Sequence, residues 1–213
     1  VTTADTQCEQ LIIQKIKELF PEDNILSEEF NFDKYSKDFL KNSLWIIDPI
    51  DGTTNFARGH DHFAVSIAYA FNGEVKCGVV SSPARKLTYH AIKNGGAFCN
   101  DKKITPSNRN KSEIATIATG FPPQREPEVL TPLIERVHSV LKNFQDIRRL
   151  GAASLDICWV AEGKLDGYWE TVKPWDIAAA NLIAKESGAI TGNFKHNENE
   201  IYPEDLKGYC YYC

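Results

Sequence analysis

Apolar residues recur at helical spacing between Thr6 and Phe20, at Ile12, Ile16, Leu19 and Phe20, and Pro21 follows as a stop. This pattern predicts an amphipathic helix. Two short apolar runs, Asn24 to Leu26 and Leu44 to Ile47, read as buried strands, and each runs directly into acidic residues, Glu28 and Glu29 in one case and Asp48 in the other. Carboxylates at strand ends are well placed to converge. The segments Phe63 to Phe71 and Val75 to Ser81 predict a hairpin turning at Asn72-Gly73, and Leu87 to Ile92 with Gly96 to Cys99 continues the sheet around Asn94-Gly95.

The second half alternates helix and strand. A strand is expected from Ile114 to Thr119, then a proline-bearing loop, then a helix near Glu126 to Phe144 with Leu130, Leu133, Val137 and Leu141 on one face. Ala152 to Ala161 reads as a helix, Leu165 to Glu170 as a strand, and Pro174 to Ser187 as a helix closed by Gly188. Asn193 to Cys213 is polar and poorly patterned, with the look of a fragment. The class is therefore mixed α+β in layers, read as one domain over residues 1–213 with subdomains of about 1–110 and 111–213.

Composition narrows the function. The chain has 213 residues, 42% hydrophobic and 25% charged, and a formal net charge of -5, which argues against a broad basic nucleic-acid footprint and for a small-molecule partner. No run approaches the roughly 18 to 20 apolar residues of a membrane span, and Val1 opens no signal-peptide pattern, so a soluble, cytoplasmic protein is expected. The six cysteines, Cys8, Cys77, Cys99, Cys158, Cys210 and Cys213, are expected as reduced core residues, and a single C-x-x-C at Cys210 to Cys213 is weak evidence for zinc or redox chemistry. There is no methionine, where ordinary usage of about 2% predicts about five.

The segment carrying most chemistry is Trp45-Ile46-Ile47-Asp48-Pro49-Ile50-Asp51-Gly52-Thr53-Thr54-Asn55-Phe56. A buried strand delivers Asp48 to a turn at Pro49, and Asp51 lies three residues on, so both carboxylates can enter one pocket. Mg²⁺ takes oxygen ligands, with one or two carboxylates per ion and retained waters, and Asp48 could bridge two ions. Gly52 and Thr53 present backbone N–H groups at the start of a helical turn, where amides and dipole favour a phosphate.

The D-P-I-D-G-T segment, together with Pro174-Trp175-Asp176-Ile177-Ala178-Ala179-Ala180, resembles the two signatures of the inositol monophosphatase family. Glu28 and Asp5 stand at the family's offsets, twenty residues before Asp48 and twenty-three before Glu28. The resemblance runs from about Val1 to Ile190 and implies a layered α-β-α-β-α sandwich. It implies Glu28, Asp48 and the Ile50 carbonyl as ligands of a first metal, and Asp48, Asp51 and Asp176 as ligands of a second, with two or three Mg²⁺ per site. Asp5, Thr53 and Glu28 would be catalytic, with Thr53 holding the attacking water and passing its proton demand to Asp5. Gly52, Thr53 and the Gly151-Ala152-Ala153 segment would meet the substrate, and Glu170 would accept hydrogen bonds from its hydroxyls. The expected reaction is hydrolysis of myo-inositol monophosphate, with fructose 1,6-bisphosphate, histidinol phosphate or a nucleoside bisphosphate as alternatives within the family. A homodimer inhibited by lithium is implied by the same resemblance.

The sequence departs from the family in three places. Four residues separate Glu170 from Trp175 where the family has five, and a missing methionine would repair the interval. The family's first helix would precede Val1, and its closing strands would follow Ile190. From another class, a non-catalytic metal- and phosphate-binding regulatory dimer competes with the enzyme. His60 and His62, which flank Asp61, read as surface residues rather than zinc ligands, and Arg148-Arg149 either faces an anionic substrate or forms a salt bridge. Of the adjacent acids Glu28 and Glu29 only one can point inward along a strand, and Glu28 is taken as that one.

Overall fold

A computed structural model describes residues 2–30, 42–194 and 211–213. It has five layers. The outermost is α1 (Thr3–Leu19), which lies on a seven-stranded sheet made of β1 (Asn24–Ser27), β2 (Leu44–Asp51), β3 (Ala64–Phe71), β4 (Glu74–Ser82), β5 (Leu87–Ile92), β6 (Ala97–Cys99) and β7 (Lys102–Lys103), in that order across the sheet. β1 and β2 are parallel and the remaining pairs antiparallel. A short helix, α2 (Thr53–Ala57), follows β2 directly.

The middle layer is α4 (Ala153–Ala161) and α5 (Pro174–Ser187), and behind it stands a five-stranded sheet. That sheet takes the order β11 (Gly192–Asn193), β12 (Tyr211–Tyr212), β10 (Gly167–Glu170), β8 (Thr116–Thr119), β9 (Asp146–Arg148). Helix α3 (Pro127–Asn143) covers its far face through Leu133, Val137 and Val140 against Ile117 and Trp169. The expected layered sandwich is the fold observed.

Strand β3 shows why the layers close. Its sequence alternates, with Ala64, Ser66, Ala68 and Ala70 buried toward the middle layer and Ile67 turned toward α1. Small residues on the inner face let α5 come close, and α5 itself is apolar nearly all round, as a helix between two sheets must be. The approach is tightest at Gly78 on β4, where an added Cβ would lie 2.7 Å from the Cα of Ala179. Glycine is required there by contact, not by backbone conformation.

Several expectations are corrected. Asn193 to Cys213 is not wholly unpatterned, because Tyr211–Tyr212 pairs antiparallel with both β10 and β11 inside the second sheet, with Tyr211 fully buried, while residues 195–210 lie outside the described residues. Strands therefore do follow Ile190. The strand placed at Ile114 begins at Thr116, after a 3₁₀ turn at Ser112–Ile114. On α3, Leu141 faces solvent and Val140 takes the inward place. The chain passes from Glu170 to Pro174 through three residues, and Glu170 and Asp176 line one cleft. Cys8, Cys77, Cys99, Cys158 and Cys213 are free thiols, and Cys210 lies outside the described residues.

Candidate metal and phosphate site

The site is built where β1 and β2 end side by side. Their parallel register sets Ser27 beside Ile47, so the next residues, Glu28 and Asp48, leave the pair as neighbours. The Glu28 N–H still donates to the Ile47 carbonyl at 3.3 Å, and the Glu28 and Asp48 carboxyls are hydrogen-bonded to each other. β2 does not turn at Pro49, as the sequence suggested, but continues to Asp51 with a bulge. Against β3, Asp48 pairs with Ser66 and Asp51 with Ala64, so three steps on β2 match two on β3. Residues three apart on a regular strand face opposite ways; the extra residue puts Asp48 and Asp51 on one side. Pro49, which has no N–H to give a ladder, sits where pairing is interrupted.

Two helix N-termini complete the cluster. Asp51 accepts the Ala153 and Ser154 N–H groups at 3.1 and 2.7 Å and the Ser154 hydroxyl at 2.5 Å, so it caps α4 from another strand. Asp176 accepts the Lys173 N–H at 2.6 Å within the first turn of its own helix, α5. Oxygens of Asp48, Asp51 and Asp176 all lie within 4.8 Å of one another.

So many carboxylates in one desolvated place resist ionisation. Burial, then Asp51, Glu28 and Asp176, push Asp48 well above the usual carboxylate range. Burial and Asp51 do the same to Asp176. Burial and the charge of Glu29 raise Glu28 to about 7. Burial also raises Asp51, against the opposing hydrogen bonds from Ser154 and Ala153. A divalent cation would relieve this repulsion, and an all-oxygen donor set without Cys or His suits Mg²⁺ better than zinc.

Beside the cluster, Gly52 has φ +89°, and an added Cβ would meet Ala152, the Gly151 carbonyl and the His62 carbonyl at 3.1 Å. Both the left-handed backbone and the space demand glycine. The next residue, Thr53, opens α2, and its hydroxyl is 3.0 Å from Asp5 Oδ1 and 3.1 Å from the Ile50 carbonyl. Asp5 is fully buried in the first turn of α1. Burial works to raise its pKa, but hydrogen bonds from the Thr2 hydroxyl and N–H and from Thr53 hold it below the usual value.

On the other side opens a cleft of about 470 Å³ lined by Asp51, Arg149, Gly151, Ala153, Glu170 and Asp176 among others. Glu170 accepts the buried Tyr168 hydroxyl at 2.5 Å, and burial raises its carboxyl to about 7. Gly151 and Ala153 reach the cleft, whereas Ala152 is fully buried and the Ala153 amide is already held by Asp51.

The structure thus gathers Glu28, Asp48, Ile50, Asp51, Gly52, Thr53, Asp5 and Asp176 on one side and Glu170 with Gly151 and Ala153 on the other. His62 is corrected: it is not a surface residue but lies 5% exposed, with Nε2 2.7 Å from Asp156 Oδ1 and its ring edge-on to Trp159. Arg148 pairs with Asp146, while Arg149 lines the cleft. Sequence reasoning missed Ser154 and Tyr168, whose only signal was position, one in the helix that follows Gly151 and the other two residues before Glu170.

The model of the inositol monophosphatase family matches residues 1–209. The chain belongs to the inositol monophosphatase family. The fructose-1,6-bisphosphatase/inositol-1-monophosphatase of Thermotoga maritima is 37% identical over 208 residues, covering 97% of this chain and 76% of that protein. Nus factor SuhB of Pasteurella multocida is 37% identical over 195 residues, covering 91% of this chain and 72% of its own length. A crystal structure of staphylococcal inositol monophosphatase-1, a LiCl-soaked inhibitory complex, superposes with a TM-score of 0.83 at 30% identity, covering 100% of this chain and 75% of that one. The family is a phosphatase family, and its members with these two kinds of name lie equally near this chain in sequence. Among the described residues, no helix is long and apolar enough to cross a membrane.

Proposed function

We propose that this chain hydrolyses a small phosphate monoester, myo-inositol monophosphate or a close polyol phosphate, with Mg²⁺ as its cofactor. The observation that carries this reading is the carboxylate cluster of Asp48, Asp51 and Asp176 within 4.8 Å, joined by Glu28 and flanked by the Thr53–Asp5 hydrogen bond. Holding metal or phosphate does not itself require that last pair.

Glu28, Asp48 and the Ile50 carbonyl would hold one ion, and Asp48, Asp51 and Asp176 another. When bound, Mg²⁺ supplies acidity to a coordinated water and neutralises charge on the phosphate and the leaving oxygen. The chain's own part is positional. Thr53, anchored to Asp5, accepts a hydrogen bond from the attacking water and aligns it with phosphorus. Asp5, kept ionised by its donors, takes the proton relayed through Thr53. The amides at Gly52 and Thr53 orient phosphate oxygens, and Glu170, steadied by Tyr168, accepts hydroxyls of the polyol. Water is the acceptor, so the products are inorganic phosphate and the free alcohol. By the family resemblance the enzyme is a homodimer, and Li⁺ is an inhibitor, in keeping with the staphylococcal LiCl complex.

Fructose 1,6-bisphosphate is the second substrate to weigh, because the Thermotoga relative carries both activities in its name and Arg149 stands in the cleft. The Nus factor relatives favour a regulatory role as the reading from another class. The test is phosphate release from myo-inositol 1-phosphate, fructose 1,6-bisphosphate, histidinol phosphate and 3′-phosphoadenosine 5′-phosphate, with and without Mg²⁺ and Li⁺. Mg²⁺-dependent, Li⁺-sensitive release from the inositol ester is the expected result. No release from any of the four would leave the regulatory reading standing.

A further inference from the structure

Helix α1 turns two acids inward one turn apart, Asp5 and Glu9. Asp5 reaches Thr53, while Glu9, 3% exposed, belongs to no step described above. Its Oε1 accepts three donors: the Ser27 hydroxyl, and the Glu29 and Phe30 N–H groups at 3.1 Å each. These donors bracket a single residue, Glu28, whose carboxyl points the other way, to Asp48. Residues just past a strand end have no ladder to hold them, and the last ladder bond here is that from Glu28 N to Ile47. One carboxylate oxygen of α1 does the holding instead.

We propose that Glu9 is a positioning residue that fixes the backbone on both sides of Glu28 and thereby sets the metal affinity of the position Glu28 serves. This rests on the reading of Glu28 as a ligand. The helix that supplies the proton acceptor also aims the metal ligand, so α1 couples the two halves of the site. The relevant property of Glu9 is the location of one acceptor oxygen. The Glu9→Gln change retains such an oxygen, Glu9→Asp retains the charge but withdraws the oxygen by one methylene, and Glu9→Ala leaves two amides and a hydroxyl without a partner.

The experiment is direct Mn²⁺ binding to the full chain by calorimetry and electron paramagnetic resonance, without turnover, for the wild type, Glu9→Gln, Glu9→Asp, Glu9→Ala, Glu28→Gln and the double variant Glu9→Ala/Glu28→Gln, with folding checked by circular dichroism. Glu9→Ala is expected to weaken one Mn²⁺ site about 10-fold or more, Glu9→Asp several-fold, and Glu9→Gln less than about threefold. In the Glu28→Gln background Glu9→Ala should add almost nothing, because both act through one ligand. Should Glu9→Ala fail to fold, the contrast of Glu9→Gln with Glu9→Asp carries the test. Normal binding in Glu9→Asp and Glu9→Ala while Glu28→Gln is impaired would overturn the positioning role alone, as would an additive double variant. Normal binding in Glu28→Gln would overturn the ligand reading and this inference with it.

Discussion

The hydroxyl of Thr53 lies 3.0 Å from Asp5 Oδ1, joining the residue that opens α2 to the first turn of α1, 48 positions earlier in the chain. Neither residue is among the acids whose oxygens form the metal-ready cluster, and neither is needed to hold a cation. Replacing Asp5 with Asn should therefore separate binding from turnover. Asparagine keeps an acceptor for Thr53 but cannot take a proton, and loss of such a group lowers kcat by about 10²- to 10⁴-fold. Mg²⁺ affinity should stay within about threefold. Because Asp5 also caps α1, about 0.5 to 1 kcal/mol of stability should go with it. Steady-state kinetics beside a metal titration checks this, and unchanged turnover would remove Asp5 from the mechanism.

The raised carboxyls set the direction of a pH effect in the metal-free protein. Glu28 and Glu170 titrate near 7 and Asp156 near 6 in the fold, above the values they would have in an unfolded chain. Between about pH 4.5 and 7 the folded state thus binds more protons than the unfolded one, so stability falls as pH rises through that window. In EDTA the melting temperature should be lower at pH 8 than at pH 5.5. Mg²⁺ at pH 8 should restore it, and binding near pH 6.5 should release protons, measurable as a buffer-dependent heat. A flat pH profile without metal would mean that the acids are not desolvated together as described.

Glu170 meets the cleft with one oxygen already tied to Tyr168. Glu170→Gln would keep the shape but place an amide N–H₂ where a substrate hydroxyl needs an acceptor. The expected cost is about 10-fold in kcat/KM for a polyol phosphate, carried mostly by KM, the size of one lost hydrogen bond to a charged group. An aryl phosphate with no hydroxyls should be hydrolysed equally well by variant and wild type. Equal losses on both substrates would move Glu170 from substrate recognition to support of the fold.

The local patterns that survived folding are those whose cause is local. Asn72-Gly73 turns the β3–β4 hairpin with both residues at positive φ, and Pro174 to Ser187 ends at Gly188 with φ +102°, as its sequence required. Asp48, Asp51 and Asp176 of the cluster, with Glu28 and Asp5 beside it, were legible because the family's signatures and offsets carried them. The geometry that makes them a cluster was not. Nothing in Asp48-Pro49-Ile50-Asp51 distinguishes a turn from a bulge until β3 supplies the register. Tyr211–Tyr212 is too short to read as a strand without its neighbours β10 and β11. His62 read as a surface residue and Glu9 carried no signal, since burial of a charge depends on partners far away in sequence: Asp156 for the one, Ser27 and the amides after Glu28 for the other.

Asp48 concentrates the conflict between stability and function. It is 1% exposed, the Ile50 N–H donates to it at 3.0 Å, and three further carboxyls crowd it. An Asp48→Asn change would fill the same space, keep an oxygen for Ile50 and offer Glu28 a donor instead of a rival charge. Without metal at pH 8 this variant should be more stable than the wild type, by about 1 kcal/mol or roughly 2 to 4 °C in Tm for a chain of this size. With saturating Mg²⁺ the order should reverse, because the wild type gains binding energy in the folded state and the variant does not. Hydrolysis should be lost. Paired melting curves in EDTA and in Mg²⁺ decide the matter: if the variant is less stable in both, Asp48 is held for the fold's own sake and the repulsion argued here is not the dominant force on it.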